Sequence, residues 1–388
     1  MTAPHDIDVL MPAYNAAATI RASVESLQRQ TFRAIRILVV DDGSTDATPA
    51  ILRDLADGDR RIEVLRQPNG GIVTALNAGL ARCTAPLIAR LDADDIAVPE
   101  RLALQRDFLD AHAAVVAVSG AVRHVDGKGR PTGTVSRLPD PSRADPLWAP
   151  AIEPYLIHPF LMARREALEA AGGYRQVRHA EDSDLYWRLA ERGRLHNMPQ
   201  VLGDYRLHAG SISSASLGNG RVMAVQSQLA ALSAQRRRDG VPDLDFSAAA
   251  TMARLRGVTL GELVALAARD LTTEEAARLE IMVAAKLVET AAYRPYELAA
   301  EDCRFIGAAV ARHGAALRPE NRAMLARSLA GTAARLIHHG RFREAAALRP
   351  TQLVAVGLRL LTRLVLPERM RCELRRRRGG SGGNVPVK

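Results

Sequence analysis

The sequence is poor in cysteine, in aromatic residues and in long apolar runs, and each shortage excludes a class of protein. Its 388 residues include three cysteines, far apart and without C-x-x-C spacing, which argues against a cysteine-based metal or redox centre and favours a reducing compartment. No run reaches the ~18 to 20 apolar residues of a membrane-spanning helix. The first residues also lack the basic and apolar pattern of a secretory signal. We therefore expect a cytoplasmic protein without a spanning segment.

A glycine-rich phosphate loop is absent as well. The predicted first strand, at residues 7–11, is followed by the sequence PAYN at residues 12–15, which contains no glycine beside the strand end. Dinucleotide-binding enzymes and P-loop enzymes place glycines there so that the backbone can approach phosphates. The sequence excludes both patterns, so phosphate charge must be handled in another way.

The net charge of +10 is concentrated at one end of the chain. Residues 351–388 hold nine basic and two acidic side chains, so this tail carries +7 and the remaining chain carries +3. An excess of positive charge is typical of proteins that bind nucleic acid or anionic membranes. Because the excess lies in the tail, the rest of the chain is nearly balanced.

Short β-rich runs alternate with helical periodicity from residue 6 to about residue 91. The predicted strands are residues 7–11, 35–40, 62–65 and 86–91, and the predicted helices between them are residues 17–30, 48–56 and 72–81. This order is typical of a mostly parallel sheet with crossover helices. The later predictions are a helix at 99–112, a strand at 115–125, a long surface loop at 131–154 and a helix at 182–192.

Three of the predicted strands end in polar clusters, at residues 12–15, 41–44 and 92–95. Ligands of such sheets bind beyond the carboxyl ends of the strands. Carboxylates are hard oxygen ligands, and Mg²⁺ or Mn²⁺ commonly binds through one or two of them together with substrate phosphates. The sequence therefore predicts a phosphate-handling metal site at residues 92–95.

The composition changes from about Phe246 onward to alanine, leucine, arginine and glutamate with helical spacing. Within this region, residues 272–275 (TTEE) have the arrangement of a capping box, which starts a helix. We expect an α/β catalytic domain at residues 1–245 and an α-helical domain at residues 246–350. Residues 351–388 are expected to form an amphipathic helix and a basic, partly disordered tail.

Five segments taken together resemble a family 2 glycosyltransferase. They are MPAYN at 11–15, VVDDGSTD at 39–46, NGGIVTALNAGL at 69–80, LDADD at 91–95 and HAEDSDLYWRLAERG at 179–193. The resemblance covers residues 6–215 and implies the nucleotide-sugar-binding GT-A fold. It also implies an inverting, metal-dependent transfer of one sugar from a nucleotide-diphosphate sugar to an acceptor hydroxyl, in polysaccharide or glycolipid biosynthesis. No Q-x-x-R-W segment follows Trp187, which favours a non-processive enzyme.

The resemblance also implies the site residues on the donor side. Those expected to bind the nucleotide sugar are Pro12, Tyr14, Asn15, Asp41, Asp42, Asn69, Asn77, Asp92 and Ala93. Of these, Asp41 would accept a hydrogen bond from the base, and Asp92 would contact the ribose. Asp94 would hold a Mg²⁺ or Mn²⁺ ion that bridges the phosphates, and His208 would reach the metal or the diphosphate. The cation would neutralise the charge that develops on the leaving group.

The segment at residues 179–193 supplies the expected base and acceptor contacts. An inverting transfer needs a base that takes the proton from the acceptor hydroxyl as it attacks, and Asp182 matches that position. Glu181, Asp184 and Trp187 are expected to contact the acceptor. Burial and a neighbouring like charge raise the pKa of a carboxyl, whereas a helix N-terminus lowers it, so the sequence leaves the pKa of Asp182 open.

The tail permits two interpretations. Residues 352–366 are largely apolar and would span ~22 Å as a helix, less than the ~30 Å hydrocarbon core of a bilayer. They could lie on an anionic membrane surface, where the arginines at residues 369–378 would add electrostatic attraction, or they could pack on the helical domain. We expect the first, and with it a peripheral location on the inner face of the cell membrane.

Two other functions stay open at this point. A nucleotidyltransferase acting on a sugar phosphate also uses an α/β sheet and paired carboxylates, although it would be expected to carry a basic, glycine-rich phosphate loop. A nucleic-acid-binding protein could use the arginine tail, but the aromatic content of 4% offers little stacking surface. The preferred partners are a nucleotide-diphosphate sugar and a glycan or lipid-linked acceptor, with no nucleic acid. The sequence does not indicate the oligomeric state.

Overall fold

The computed structural model describes residues 5–207, 216–246, 258–293 and 297–348. Two features singled out from the sequence, His208 and the tail at residues 351–388, lie outside the described residues. Both described cysteines, Cys83 and Cys303, are buried and free.

The first part of the chain alternates strands and helices as predicted. Its strands are β1 (Ile7–Ala13), β2 (Ile35–Asp41), β3 (Ile62–Arg66), β4 (Leu87–Arg90) and β5 (Ile96–Ala97). Its helices are α1 (Ile20–Gln28), α2 (Thr48–Gly58), α3 (Ile72–Leu80) and α4 (Arg101–Ala111). The predicted strands and helices lie within about three residues of these bounds, the margin expected of pattern-based predictions.

One sheet of nine strands organises this part of the molecule. The remaining strands are β6 (Val115–Val125), β7 (Pro131–Ser136), β8 (Met162–Arg164) and β9 (Arg194–Arg206). The strand order is β3-β2-β1-β4-β8-β6-β9-β5, with β7 paired to β6. The first four strands of this order are parallel, whereas β8 is antiparallel to both of its neighbours. The predicted mostly parallel sheet is therefore found in one half, and the other half is mixed.

Helices cover both faces of the sheet because the side chains of β1 alternate between two cores. Ile7, Val9 and Met11 pack with α1, α2 and α4, whereas Leu10 packs on the opposite face with α3. The opposite face is also covered by two later helices, α5 (Arg165–Ala170) and α6 (Glu181–Ala190). A strand buried on both faces reads as a continuous apolar run, which is why these strands are recognisable in the sequence.

The segment at residues 131–154 differs from the predicted surface loop. It contains β7 and a short 3₁₀ helix at Pro141–Arg143, and Ala149 and Ala151 are buried in a core shared with the C-terminal helices. The helices that cover this segment come much later in the chain, so local sequence pattern gives no sign of its burial.

The C-terminal part is helical, as predicted. Its helices are α7 (Leu217–Arg238), α8 (Leu260–Ala267), α9 (Thr273–Ala291), α10 (Ala300–His313), α11 (Pro319–His338) and α12 (Phe342–Leu348). The predicted capping box at the start of α9 is confirmed. The hydroxyl of Thr272 accepts a hydrogen bond from the N–H of Glu275 at 3.3 Å, and the Glu275 carboxylate accepts one from the N–H of Thr272 at 2.8 Å.

One hydrophobic core joins α7 to α6 on one side and to the later helices on the other. Leu229 of α7 shares this core with Trp187 of α6 and with Leu279 of α9. The core thus contains residues from both sides of the domain boundary expected at 245–246, and that boundary stays a prediction. Among the described helices, none is both long enough and apolar enough to cross a membrane.

Candidate active site

Hydrogen bonds join the loop that follows β1 to the loop that follows β2. Asn15 has a positive φ of 48°, a conformation that asparagine tolerates better than most residues. Its Oδ1 accepts a hydrogen bond from the N–H of Thr45 at 2.8 Å, and its own N–H donates to the Ser44 hydroxyl at 2.9 Å. Pro12 is partly buried near the end of β1, and Tyr14 is 52% exposed. The aromatic face of Tyr14 is therefore available to a planar ligand at this edge of the sheet.

Asp41 is the last residue of β2 and is buried. Its Oδ1 accepts a hydrogen bond from the N–H of Ser44 at 3.0 Å, and Arg66 Nε lies 3.4 Å from its Oδ2. Oδ2 has no hydrogen-bond partner within the part of the chain that the structure describes. Because a buried acceptor without a donor costs free energy, a ligand that donates to Oδ2 would be favoured here.

Asp42 organises the loop between β3 and α3. Its Oδ1 accepts hydrogen bonds from Gln67 Nε2 at 2.7 Å and from the N–H of Gly70 at 2.9 Å, and its Oδ2 accepts one from the N–H of Gly71 at 2.8 Å. The side-chain amide of Asn69 donates to the backbone carbonyl of Asp42 at 3.0 Å. Asp42 and Asn69 therefore shape this loop through contacts within the protein.

Asn77 connects α3 to the segment that precedes α6. Its Oδ1 accepts a hydrogen bond from the N–H of Tyr174 at 2.9 Å, and its Nδ2 donates to the carbonyl of Tyr174 at 2.8 Å. Both polar ends of this side chain are thus bonded to the backbone of one residue, Tyr174. These bonds give Asn77 a structural role, and the contact between Asn77 and the donor stays a prediction.

Three carboxylates gather beyond the end of β4. One oxygen each of Asp92, Asp94 and Asp95 can be chosen so that all lie within 4.8 Å of one another, and Ala93 is buried between them. The cluster is held from β9, because the N–H of Arg206 donates to Asp95 Oδ1 at 2.8 Å and Arg206 Nε donates to the carbonyl of Asp94 at 2.8 Å. The predicted acidic site therefore has a defined geometry.

The electrostatics of this acidic cluster suit a divalent cation. Burial raises the pKa of Asp92, although the neighbouring Arg90 acts in the opposite direction. Burial and the charges of Asp92 and Asp94 raise the pKa of Asp95 well above its ordinary value. Asp95 Oδ2 is buried and has no hydrogen-bond partner among the described residues. A cation would offset this repulsion, and oxygen donors are the ligands that Mg²⁺ and Mn²⁺ prefer.

A second group of carboxylates, the pair Glu181 and Asp182, lies at the N-terminal end of α6. Burial and the charge of Asp182 raise the pKa of Glu181 to about 7. Burial also raises the pKa of Asp182, whose Oδ1 accepts a hydrogen bond from the N–H of Ser183 at 2.8 Å. The charge of Arg90 acts on both residues, and the charge of Asp92 acts on Glu181. The charge of one arginine thus acts both on this pair and on Asp92 of the acidic cluster.

Two of the residues predicted to contact the acceptor, Asp184 and Trp187, are buried in the structure. Asp184 is fully buried, with hydrogen bonds from Arg188 to its Oδ2 at 2.6 Å and from Arg175 Nε to the same oxygen at 3.0 Å. Trp187 is buried in the core between α6 and α7. Helical periodicity places both residues on inward faces, so they support α6 and do not line an opening.

Arg90 is the site residue that sequence reasoning missed. It is 4% exposed, its Nη2 lies 2.6 Å from Asp92 Oδ1, and its Nε and Nη1 have no hydrogen-bond partner among the described residues. The available signal is a charged residue at the end of a strand that is otherwise apolar, immediately before the acidic cluster. Such a residue is rarely fully buried without a partner.

Comparison with known proteins defines the class of this one. The sequence profile described as "Glycosyl transferase family 2" matches residues 8–172. The chain is 32% identical over 207 residues to the "Amylovoran biosynthesis glycosyltransferase AmsE" of Erwinia amylovora, covering 52% of this chain and 76% of that protein. The chain therefore belongs to glycosyl transferase family 2 and is a glycosyltransferase. The predicted α/β fold class, with its helical C-terminal region, is confirmed.

A second relative and two solved structures are also similar to this chain. The chain is 31% identical over 206 residues to the "Putative glycosyltransferase EpsE" of Bacillus subtilis strain 168, covering 50% of this chain and 71% of that protein. The "Mannosyltransferase PcManGT from Pyrobaculum calidifontis in complex with GDP-Man and Mn2+" is 22% identical, with a TM-score of 0.49 and coverage of 92% and 88%. "S. aureus TarS 1-349 in complex with UDP-GlcNAc" is 16% identical, with a TM-score of 0.49 and coverage of 88% and 89%.

Proposed function

We propose that the protein is an inverting, metal-dependent glycosyltransferase that moves a single sugar from a nucleotide-diphosphate sugar to an acceptor hydroxyl. One observation carries the proposal: beyond the carboxyl end of β4, the buried Arg90 pairs with Asp92 of the acidic cluster, and its charge also acts on Glu181 and Asp182. The acidic cluster has the donor set for a divalent cation, and the pair Glu181 and Asp182 offers a base. Family membership favours glycosyl transfer over nucleotidyl transfer.

The donor lies across the ends of β1, β2 and β4 in this proposal. Tyr14 and Asp41 bind the base, Pro12 and Asn15 line the loop beside it, and Asp42 with Asn69 shapes the neighbouring loop. The ribose and phosphates lie over Asp92, Ala93 and Asp94. When Mg²⁺ or Mn²⁺ is bound through Asp94 with its acidic neighbours, it supplies positive charge to the departing diphosphate. We keep His208, outside the described residues, as a proposed contact of the metal or the diphosphate.

The proton in the reaction goes to Asp182. The acceptor oxygen forms a bond to the anomeric carbon as the bond from that carbon to the donor phosphate breaks, and Asp182 takes the acceptor proton. Attack from the face opposite the leaving group inverts the anomeric configuration. The raised pKa of Asp182 suits this role, because a base with higher proton affinity removes the proton more effectively. Glu181 stays the proposed acceptor contact on the same helix.

The name of the Erwinia amylovora relative indicates the biosynthesis of a polysaccharide. We propose that this chain likewise acts in polysaccharide or glycolipid assembly on a glycan or lipid-linked acceptor. The proposed location is cytoplasmic, at the inner face of the cell membrane, with residues 351–388 contacting anionic lipid. The division into residues 1–245, 246–350 and 351–388 is part of the same proposal.

A donor panel tests the proposed reaction. The full chain is incubated with Mn²⁺ or Mg²⁺ and a series of uridine, guanosine and thymidine diphosphate sugars, and release of the nucleoside diphosphate is measured. We expect release from one donor or a narrow group of donors. The configuration of the first-formed free sugar, followed by NMR, should be opposite to that of the donor. Retention of configuration would contradict the inverting mechanism, and release of pyrophosphate from a nucleotide and a sugar phosphate would indicate nucleotidyl transfer.

A further inference from the structure

The helical C-terminal region holds one particular segment of the α/β part, residues 149–155. Asn321 of α11 brackets Ala149: its Oδ1 accepts a hydrogen bond from the Ala149 N–H at 2.9 Å, and its Nδ2 donates to the Ala149 carbonyl at 2.6 Å. Gln228 of α7 accepts a hydrogen bond from the N–H of Ala151 at 2.8 Å. Two helices therefore fix the backbone of this segment in a buried position.

A buried ion pair is the third contact that holds residues 149–155 against the C-terminal helices. Lys286 of α9 is 2% exposed, and its Nζ lies 2.8 Å from Oε1 of Glu153, which is 4% exposed. The same Nζ donates to the hydroxyl of Tyr155 at 2.8 Å and to Glu289 at 2.9 Å. Charged side chains this deeply buried are rare unless they are paired, so this pair is a specific feature of the interface.

Glu153 reaches from this ion pair to the N-terminal end of α6. Its Oε2 accepts a hydrogen bond from the hydroxyl of Ser183. The N–H of Ser183 donates to Oδ1 of Asp182 at 2.8 Å. Polar contacts therefore run without a break from Lys286 through Glu153 and Ser183 to Asp182.

We infer that Lys286, Glu153 and Ser183 are positioning residues through which the helical region holds Asp182 in place and sets the charge next to it. The inference rests on the proposed function, in which Asp182 is the base. It gives the helical region a task in the reaction itself, because a residue of α9 supplies the counter-charge for a carboxylate adjacent to the active site.

The charge of Glu153 is felt directly by Asp182, and it raises the pKa of that carboxyl. Arg90 on β4 also acts on Asp182, and burial together with the charge of Asp182 raises the pKa of Glu181 and Tyr186 on α6 and of Tyr174 before α6. Electrostatic interactions are strong in a buried site because little water screens them. Lys286 neutralises the charge of Glu153. Removing Glu153 should therefore make the electrostatic potential at Asp182 more positive, and removing Lys286 should make it more negative.

The first test is a pH titration of the Asp182 carboxyl carbon by ¹³C NMR in the full chain, assigned with Asp182→Asn. Glu153→Gln removes a negative charge and leaves Lys286 with Glu289 as its remaining carboxylate partner, so we expect the pKa of Asp182 to fall by about 0.5 to 1 unit. Lys286→Met leaves the Glu153 carboxylate uncompensated, and the hydroxyl of Ser183 still donates to it. We expect the pKa of Asp182 to rise by about the same amount.

Three further variants separate the electrostatic role from loss of folding. Lys286→Arg keeps the charge and is expected to leave the titration unchanged. The double variant Glu153→Gln with Lys286→Met removes the whole pair and should return the pKa of Asp182 close to that of the wild type. Arg221→Met removes one partner of another buried pair, in which Arg221 Nε lies 2.8 Å from Asp302, and it should reduce stability without moving the titration.

The second test is the pH dependence of kcat/KM for hydrolysis of the nucleotide sugar selected by the donor panel, at saturating Mn²⁺. The acid limb should move to lower pH in Glu153→Gln and to higher pH in Lys286→Met. Three results would overturn the inference: shifts of the NMR titration in the same direction in the two single variants, no shift in Glu153→Gln, or a double variant that keeps the full shift of a single variant. The Glu153→Gln result decides even if Lys286→Met fails to fold. Full activity of Asp182→Asn would instead overturn the proposed base, so the two failures are distinguishable.

Discussion

Arg90 and Asp92 form a close ion pair at the end of β4, with Arg90 Nη2 2.6 Å from Asp92 Oδ1. The arginine is buried, and its charge also acts on Glu181 and Asp182. It therefore serves as a shared counter-ion for the acidic cluster and for the carboxylate pair on α6. This relationship explains how five acidic side chains can be concentrated at one edge of the sheet.

Asp182→Asn tests the proposed base. An amide cannot accept the acceptor proton, so we expect transfer to fall by at least about 10²-fold. Donor affinity, measured by calorimetry, should stay close to that of the wild type, because the base lies on the acceptor side. Glu191→Gln, just beyond the other end of α6, is the matched control and should leave transfer unchanged. Loss of donor binding in Asp182→Asn would argue against its role as the base.

Glu181→Gln tests whether the raised pKa of Glu181 makes protein stability depend on pH. The folded-state pKa of about 7 is above the ordinary value of 4.5, so between these two pH values the folded protein keeps a proton that the unfolded chain has lost. The contribution of Glu181 to stability is therefore present below pH 4.5 and lost as the pH rises through 7. We expect Glu181→Gln to raise Tm by about 2–4 °C at pH 8, and by less at pH 5. An equal change at both pH values would contradict the shifted pKa.

Asp94→Asn tests the proposed metal site. The wild-type chain should gain thermal stability with increasing Mn²⁺, because binding to the folded state alone stabilises it. The variant should need at least about tenfold more Mn²⁺ for the same gain, which corresponds to the weaker donation of an amide oxygen. Asp54→Asn, an exposed carboxylate on α2, is the control and should behave as the wild type does. Equal Mn²⁺ responses in the two variants would count against this site.

Asp42→Asn tests the loop between β3 and α3. The carboxylate accepts three hydrogen bonds from this loop, and an amide can accept fewer of them. We expect a loss of about 2 kcal/mol in the free energy of unfolding, together with a raised KM for the donor. Thr74→Val removes one exposed hydrogen bond to the Gly70 carbonyl and should have a much smaller effect. Unchanged stability in Asp42→Asn would show that the loop is held by other contacts.

Removal of residues 351–388 tests the proposed membrane contact. The truncated chain should no longer sediment with liposomes that contain anionic lipid, because it loses a charge of +7 together with the apolar stretch at residues 352–366. Replacing the four arginines at residues 375–378 by glutamine should weaken sedimentation and make it less sensitive to salt. Unchanged sedimentation of the truncated chain would exclude the tail as the contact.

Local pattern was sufficient for the first half of the sheet and for the acidic site. β1, β2 and β4 are largely apolar and are followed closely by polar residues, so both their burial and the position of Asp92–Asp95 could be predicted from the sequence. The antiparallel strand β8 (Met162–Arg164) could not be predicted in this way. It has only three residues, and it forms by pairing with strands that are far away in the chain. Short strands of this kind carry too little periodicity to be recognised.

The same limit explains why local sequence pattern does not indicate the contacts that three predicted site residues make within the protein. Asn77, Asp184 and Trp187 match family motifs by position, but their partners are Tyr174, Arg175 and the core beside α7, which only the tertiary structure brings near. Glu153 lies within residues 131–154, which the sequence predicted to be a surface loop, so its burial was not expected. Its burial depends on helices more than 70 residues later in the chain.

The most direct test of the account is donor binding by the full chain with and without metal. Calorimetric titration with a panel of nucleotide-diphosphate sugars, including GDP-mannose and UDP-N-acetylglucosamine, should detect binding of at least one donor in the presence of Mn²⁺. The binding should be lost with EDTA and strongly weakened in Asp94→Asn. Equally tight binding without metal, or no binding of any nucleotide sugar with Mn²⁺ or Mg²⁺ present, would contradict the proposed metal-dependent glycosyl transfer.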